Sequence, residues 1–166
     1  PTPTWVSEAI IYHIFVDRFN PGDGHTWENP ATPSGFYGGR IRGIIEKLDY
    51  IQELGFNTLW LSPVFPSPSH HGYDATDFFS IEPRLGTLQD FLDLVNNCHN
   101  RGIRVLLDFV PNHISHEYPI FQSALKEINS PYHNWFTFHH WPNHYETFFG
   151  VQSLPQVNLK NPAARQ

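Results

Sequence analysis

Apolar positions along the chain follow two periods in alternation. Residues 9–17 (AIIYHIFVD) form a β-rich apolar run bounded by Arg18 and the turn Asn20-Pro21-Gly22-Asp23-Gly24, which reads as a buried strand followed by a loop. From Ile41 the apolar positions Ile41, Ile44, Ile45, Leu48, Ile51 and Leu54 recur at three and four, an amphipathic helix that closes at Gly55, where a helix favours a glycine just past its end. Residues 56–62 (FNTLWLS) are a short continuous apolar run stopped by Pro63, as expected of a parallel strand covered on both faces. The pattern then repeats. Thr87 is placed to N-cap a helix with Asp90 three residues on, and Leu88, Phe91, Leu92, Leu94, Val95 and Cys98 form its apolar stripe up to Gly102. Residues 103–108 (IRVLLD) are a third strand.

Helix, glycine and buried strand recurring in this order are the pattern of βαβ units with a parallel sheet and right-handed crossovers, so the predicted class is α/β. The turns from helix to strand are very short, whereas the strand-to-helix segments 18–40 and 63–86, and the stretch after Asp108, are long. Elaboration confined to the strands' C-terminal ends is the asymmetry of a (β/α) barrel, whose ligand face is built from those loops. A full eight-stranded barrel takes about 250 residues, and three strands are legible before residue 113. Residues 114–158, rich in His, Pro, Trp and Phe with a weak helical stretch at 120–128, are expected to be an excursion after the third strand. Asn161-Pro162 has the form of an N-cap followed by proline at the first helical position, so a helix is expected to start there and to be cut short at Gln166. With strands one and three left as open edges, the chain is expected to be part of a longer domain.

Composition narrows the function classes. The 166 residues are 40% apolar and 16% charged, enough to bury a core rather than remain disordered. A net charge of −6 has the wrong sign for gripping phosphate backbones, so nucleic acid is not an expected partner. No run approaches the roughly 18–20 apolar residues of a membrane span, and the N-terminal Pro1-Thr2-Pro3-Thr4 lacks the basic and apolar regions of a signal peptide. Neither membrane insertion nor an intact leader is expected. The single Cys98 precludes an internal disulfide, which suits a reducing compartment such as the cytoplasm without excluding secretion. No methionine is present, so the chain is expected to begin inside, or after processing of, a longer product. Its 5 Trp, 7 Tyr and 14 Phe suit stacking on flat ligands and equally suit a large core.

Four segments carry a more specific signal: Ile11-Tyr12-His13-Ile14-Phe15-Val16-Asp17-Arg18-Phe19, Gly43-Ile44-Ile45-Glu46-Lys47-Leu48-Asp49-Tyr50-Ile51, His71-Gly72-Tyr73-Asp74 and Asp108-Phe109-Val110-Pro111-Asn112-His113. In order and spacing they resemble the α-amylase superfamily, glycoside hydrolase family 13. Leu154-Pro155-Gln156-Val157-Asn158 is similar to the motif closing that family's inserted domain B. The resemblance covers essentially the whole chain. It implies a partial (β/α)8 TIM barrel: residues 1–113 would be its first three β/α units, 114–158 an irregular domain B, and 159–166 the start of helix three.

The family's nucleophilic aspartate, acid/base glutamate and transition-state-stabilising aspartate follow later strands, so the resemblance implies that the catalytic carboxylates lie outside this chain. Retaining glycosidases use two carboxyl groups about 5–5.5 Å apart. Asp17, Asp74, Asp77 and Asp108 fall at or after strand ends, but Asp74 and Asp108 are not read as that pair. The resemblance gives Asp108 and His71 supporting roles, Tyr73 a stacking face for a pyranose, and His113 a hydrogen bond to the hydroxymethyl group at the cleavage point. Asp74 matches relatives that grip the hydroxyls of a terminal glucose. Asn112 matches a structural calcium ligand, although the aspartate usual at the domain B closure is Gln156 here, and Asn20 and Asp23 are a second oxygen-ligand candidate. His116, with His113, and His70, His71, His139, His140 and His144 are candidate transition-metal ligands by residue type, but HExxH and paired CxxC spacings are absent and no such metal is expected. The implied activity is that of a retaining hydrolase or transglycosylase acting on α-glucan or malto-oligosaccharide, completed by a complementary C-terminal barrel segment. The alternative is a non-catalytic amylase-like binding or assembly subunit.

Overall fold

In the computed structural model, which describes residues 2–166, the three expected strands pair as one parallel sheet. They are β1 (Ile11–Ile14), β2 (Thr58–Leu61) and β3 (Arg104–Leu107), in the order β1-β2-β3, with Ile11 opposite Thr58 and Thr58 opposite Arg104. The first strand is shorter than the run 9–17 because Val16–Arg18 curl into a 3-10 turn, closed by Phe19 N–H onto the Val16 carbonyl. The periodic stretch from Ile41 forms two short helices, α1 (Ile41–Glu46) and α2 (Leu48–Glu53), rather than one. At Lys47 the backbone leaves helical geometry (φ −105°, ψ 7°) and its N–H reaches the carbonyl of Ile44, a tighter closure than the α-helical one. Ile41, Ile44, Leu48 and Ile51 all remain buried across the break, so the apolar stripe survives it. Gly55 follows α2 with φ +87°. Helix α3 (Leu88–Asn100) has both halves of the expected capping box, Asp90 N–H to Thr87 Oγ1 and Thr87 N–H to Asp90 Oδ2.

Contacts group the chain into two compact units. The first takes the chain up to Val64 with Ser80–Asp108. Its core joins Ile14, Val16, Leu59 and Leu61 from the strands to Ile41, Ile44, Leu48, Ile51, Leu94 and Cys98 from the helices. Burial pushes the Cys98 thiol up to about 12, so it stays protonated. The sheet is not covered on both faces among the described residues: Trp60 is 40% exposed and its ring lies 4.4 Å from that of His13. The loop after β1 is tied down by Asp17, a buried carboxylate that accepts from Tyr37 N–H, Gly38 N–H and Arg18 Nε–H. It also lies directly on α1, where a Cβ at Gly43 would run into the carbonyl of Asn20.

The second unit consists of Phe65–Phe79 and the chain from Phe109 onward. Its core is built largely of aromatic rings, and the fully buried Phe121 meets Phe136 and Tyr145 edge-on at 4.8 and 4.9 Å. Phe121 belongs to α4 (Pro119–Lys126), a helix opened by proline where a weak helical stretch was expected. A small antiparallel hairpin, β4 (Phe138–His140) and β5 (His144–Tyr145), was not foreseen; strands of three and two residues leave no period to read. At the end of the chain Asn161 Oδ1 accepts from Ala163 N–H as a cap would, but the helix expected there is no more than a single 3-10 turn, Ala163–Arg165. No helix of the described residues is long and apolar enough to cross a membrane.

Ordinarily, replacing a helical glycine with alanine stabilises by about 0.5–1 kcal/mol. At Gly43 the sign is expected to reverse, with Gly43→Ala costing about 1–3 kcal/mol through the clash with Asn20. The urea midpoint relative to wild type is the measurement.

Candidate functional site

The loop that follows Phe65 is closed at its base by Thr76, whose N–H and hydroxyl both donate to the Pro66 carbonyl at 2.8 and 3.1 Å. Within this closure Ser67, Ser69, His71, Tyr73 and Asp74 converge. Asp74 Oδ1 accepts from Ser67 Oγ at 2.7 Å and also from Ser69 Oγ. Two hydroxyl donors on one oxygen fix the carboxylate's direction, with its side chain 15% exposed. His71 Nδ1 lies 3.8 Å from that oxygen and accepts from Tyr73 N–H at 3.1 Å. That bond makes His71 a neutral ring carrying its proton on Nε2.

The segment after β3 approaches the same loop within this unit. Ser115 N–H donates to the Ala75 carbonyl at 2.9 Å, and His113 Nε2 lies 3.0 Å from the Tyr73 carbonyl. A carbonyl only accepts, so Nε2 carries the proton, leaving Nδ1 to accept from Asn112 Nδ2 at 3.2 Å. Asn112 Oδ1 accepts in turn from Gln156 Nε2 at 3.1 Å, and its main-chain carbonyl accepts from Val157 N–H at 2.9 Å. The result is a relay of side chains, Gln156 to Asn112 to His113, ending on the Tyr73 peptide. On the other side His113 is covered by Phe148, with ring centroids 4.5 Å apart. Burial lowers the pKa of His113, outweighing the Tyr73 carbonyl and the Asp74 charge, and it likewise lowers that of His71.

Sequence-predicted residues therefore divide. Tyr73, Asp74, His71, Asn112 and His113 lie in one unit and in one hydrogen-bonded cluster. Asp108 closes β3 in the first unit, where its N–H donates to the Leu61 carbonyl and continues the ladder. His113, expected to meet a sugar, is 5% exposed, and both of its ring nitrogens lie within hydrogen-bond distance of protein partners, Asn112 and the Tyr73 carbonyl. Ser67, Ser69, Gln156 and Phe148 were missed as partners. The Ser-Pro-Ser spacing was the only available sign of the first two, since hydroxyls near turns seek local acceptors.

At Asn112 and Gln156 the donors do not suit calcium. Both oxygens of Asn112 are engaged, and Gln156 turns an N–H toward Asn112 where a hard cation would want carboxylate oxygen. Asn20 spends its amide on the Gly43 carbonyl, while Asp23 faces the Arg42 guanidinium at 3.6 Å, which Asp90 and Asp93 share. Among the described residues no three His, Cys, Asp or Glu side chains are grouped to hold a metal ion. His139 pairs with Glu146 Oε1 at 2.6 Å, and His116 Nδ1 lies 3.3 Å from Gln122 Nε2.

Comparison with known proteins gives concordant results. Residues 13–161 match the family model described as alpha amylase, catalytic domain. Alpha-amylase 2 of Dictyoglomus thermophilum is 51% identical over 98% of this chain, and a cyclomaltodextrinase of Thermoanaerobacter pseudethanolicus is 38% identical over 99%. The chain spans 28% and 31% of the length of these two curated relatives. Among solved structures, the cyclic alpha-maltosyl-(1→6)-maltose hydrolase from Arthrobacter globiformis, in complex with that saccharide, superposes with a TM-score of 0.91 at 40% identity, over 98% of this chain and 40% of its own.

Because burial lowers both imidazoles below their ordinary value of about 6.5, the unfolded chain takes up protons first as pH falls. Their contribution to stability is therefore full above about pH 6.5 and is lost below it, until the folded-state values are reached. We expect the melting temperature to fall between about pH 7 and 5, and the His71 and His113 resonances to titrate below the ordinary imidazole value in NMR.

Proposed function

Since the chain belongs to the alpha-amylase family, whose relatives here are glycoside hydrolases of α-glucans, we propose that it is the N-terminal part of a retaining α-glucan hydrolase and supplies its sugar-binding floor. In this reading residues 1–113 are the first three β/α units of a (β/α)8 barrel and 114–158 are its domain B. The nucleophile and the acid/base carboxyl come from a complementary C-terminal barrel segment outside these 166 residues. The reaction is a double displacement through a covalent glycosyl-enzyme. Tyr73 lays its ring against the C–H face of a pyranose, as aromatic side chains do with flat apolar surfaces. Asp74 accepts from sugar hydroxyls, its direction set by Ser67 and Ser69. Asp108 and His71 support the floor, and His113 holds the Tyr73 peptide, so that the stacking ring is in place before substrate arrives.

The observation that carries this reading is the His113 to Tyr73 bond, which brings two of the family-like segments, forty residues apart, into one cluster with Asp74. The test is turnover of maltotriose and a cyclodextrin by the full-length protein and by the 166-residue chain alone. The full-length protein is expected to hydrolyse them and the isolated chain to be inactive. Full-length protein that binds but never cleaves would make it a binding or assembly subunit, and turnover by the isolated chain would refute the division of labour.

A second variant probes the tie. Losing the His113 donor from the part-buried Tyr73 carbonyl costs about 1–3 kcal/mol, so His113→Ala in the full-length enzyme is expected to lower kcat/KM by about tenfold or more. Unchanged kinetics would remove His113 from the site.

A further inference from the structure

Phe149 is treated by the fold unlike any other aromatic of its unit. The rings around Phe121 are packed into the core, whereas Phe149 is 90% exposed. Its backbone lies in the left-handed region (φ 49°, ψ 36°), which among non-glycine described residues is shared only by Asp23. An L-residue held there is strained, and for a bulky ring the conformation is a true outlier. Phe79 is equally exposed but sits on an ordinary backbone.

The turn that carries Phe149 is well tied. Val151 N–H donates to the Phe148 carbonyl at 3.0 Å, Leu154 N–H to the Val151 carbonyl at 2.9 Å, and Phe148 N–H to the Leu154 carbonyl at 3.0 Å. Tyr145 Oη, from the core, donates to the Gln152 carbonyl at 3.0 Å. The ring is thus presented by an ordered support. Its neighbour is Phe148, edge-on at 4.6 Å, and Phe148 is the ring that covers His113, whose Nε2 holds the Tyr73 carbonyl. Contact therefore runs without a gap from Phe149 through Phe148 and His113 to Tyr73.

We propose that Phe149 is a stacking platform for a glucosyl ring of a bound malto-oligosaccharide, a specificity-determining contact additional to Tyr73. The inference rests on the α-glucan reading of the site. A pyranose suits the place because it offers a flat C–H face to the ring while its rim of hydroxyls needs polar company, which the exposed Gln152 and Ser153 of the same turn provide. Strain and exposure together are the cost of holding the ring ready, since a platform ordered beforehand loses no freedom when the sugar docks.

The test uses the full-length protein with Phe149→Ala, Phe149→Tyr and Phe149→Trp. Phe149→Ala is expected to raise KM for maltoheptaose about tenfold with a smaller change in kcat, the size of a lost stacking contact, and Phe149→Tyr to restore it. The melting temperature of Phe149→Ala is expected to equal that of wild type, because the ring removed is exposed and the left-handed backbone is as strained with alanine as with phenylalanine. In Phe149→Trp, maltoheptaose is expected to shift the emission of the new indole saturably, relative to wild type. An unchanged KM in Phe149→Ala with active wild type overturns the platform and leaves the hydrolase reading standing. Wild type without turnover, but with a saturable shift in Phe149→Trp, overturns the hydrolase reading and leaves the platform. A markedly lower melting temperature in Phe149→Ala, with no sugar-dependent emission change, means that polypeptide covers the ring and overturns the proposal.

Discussion

Parallel pairing of β1, β2 and β3 is the constraint on which the rest of this molecule depends. Adjacent parallel strands cannot be joined by a hairpin, so each return must cross over through a helix, and α1, α2 and α3 exist to make those returns. The short turns at Gly55 and Gly102 bring the chain into β2 and β3 almost without slack. All remaining length is thereby pushed to the strands' other ends. There it forms one loop anchored by the buried Asp17 and two excursions that lead into the second unit.

In that second unit the organising bond is a neutral imidazole. His113 serves because it has one donor and one acceptor nitrogen in a single rigid ring, so it can give a proton to a carbonyl while receiving one from an amide. A lysine would bring a charge that the partial burial disfavours, and an alanine would remove this donor from the Tyr73 carbonyl. Gln156 performs the same kind of service for Asn112. Neutral amides and an uncharged imidazole thus hold together what a cation and carboxylates would hold by charge, and this framework depends less on ionic strength.

The elements legible in the sequence were those long enough to repeat a period or marked by a cap. Thr87 and Asp90 fixed the start of α3 because a capping box is local chemistry, and the three strands were legible as short apolar runs beside turn or helix-ending residues. The division at Lys47 was invisible, since the apolar stripe continues through it and only the backbone angle changes. The β4–β5 hairpin was invisible because its strands are too short to alternate. Of the site, the residue types at 71, 73, 74, 112 and 113 were legible, and their meeting was not, because a hydrogen bond across forty residues leaves no mark on either segment. Phe149 illustrates the limit most clearly: in sequence it is one of fourteen phenylalanines, and only its positive φ and exposure set it apart.

Cys98 carries a consequence for how the protein meets its surroundings. Its thiol is fully buried beneath α3 and held in the protonated form, so it presents no thiolate to oxidants, electrophiles or soft metals while the core is closed. Opening the core would raise its reactivity abruptly. The only sulfur in the chain is therefore a natural witness of integrity, silent toward alkylating reagents in every molecule that is folded and reporting, one label per chain, each molecule that is not.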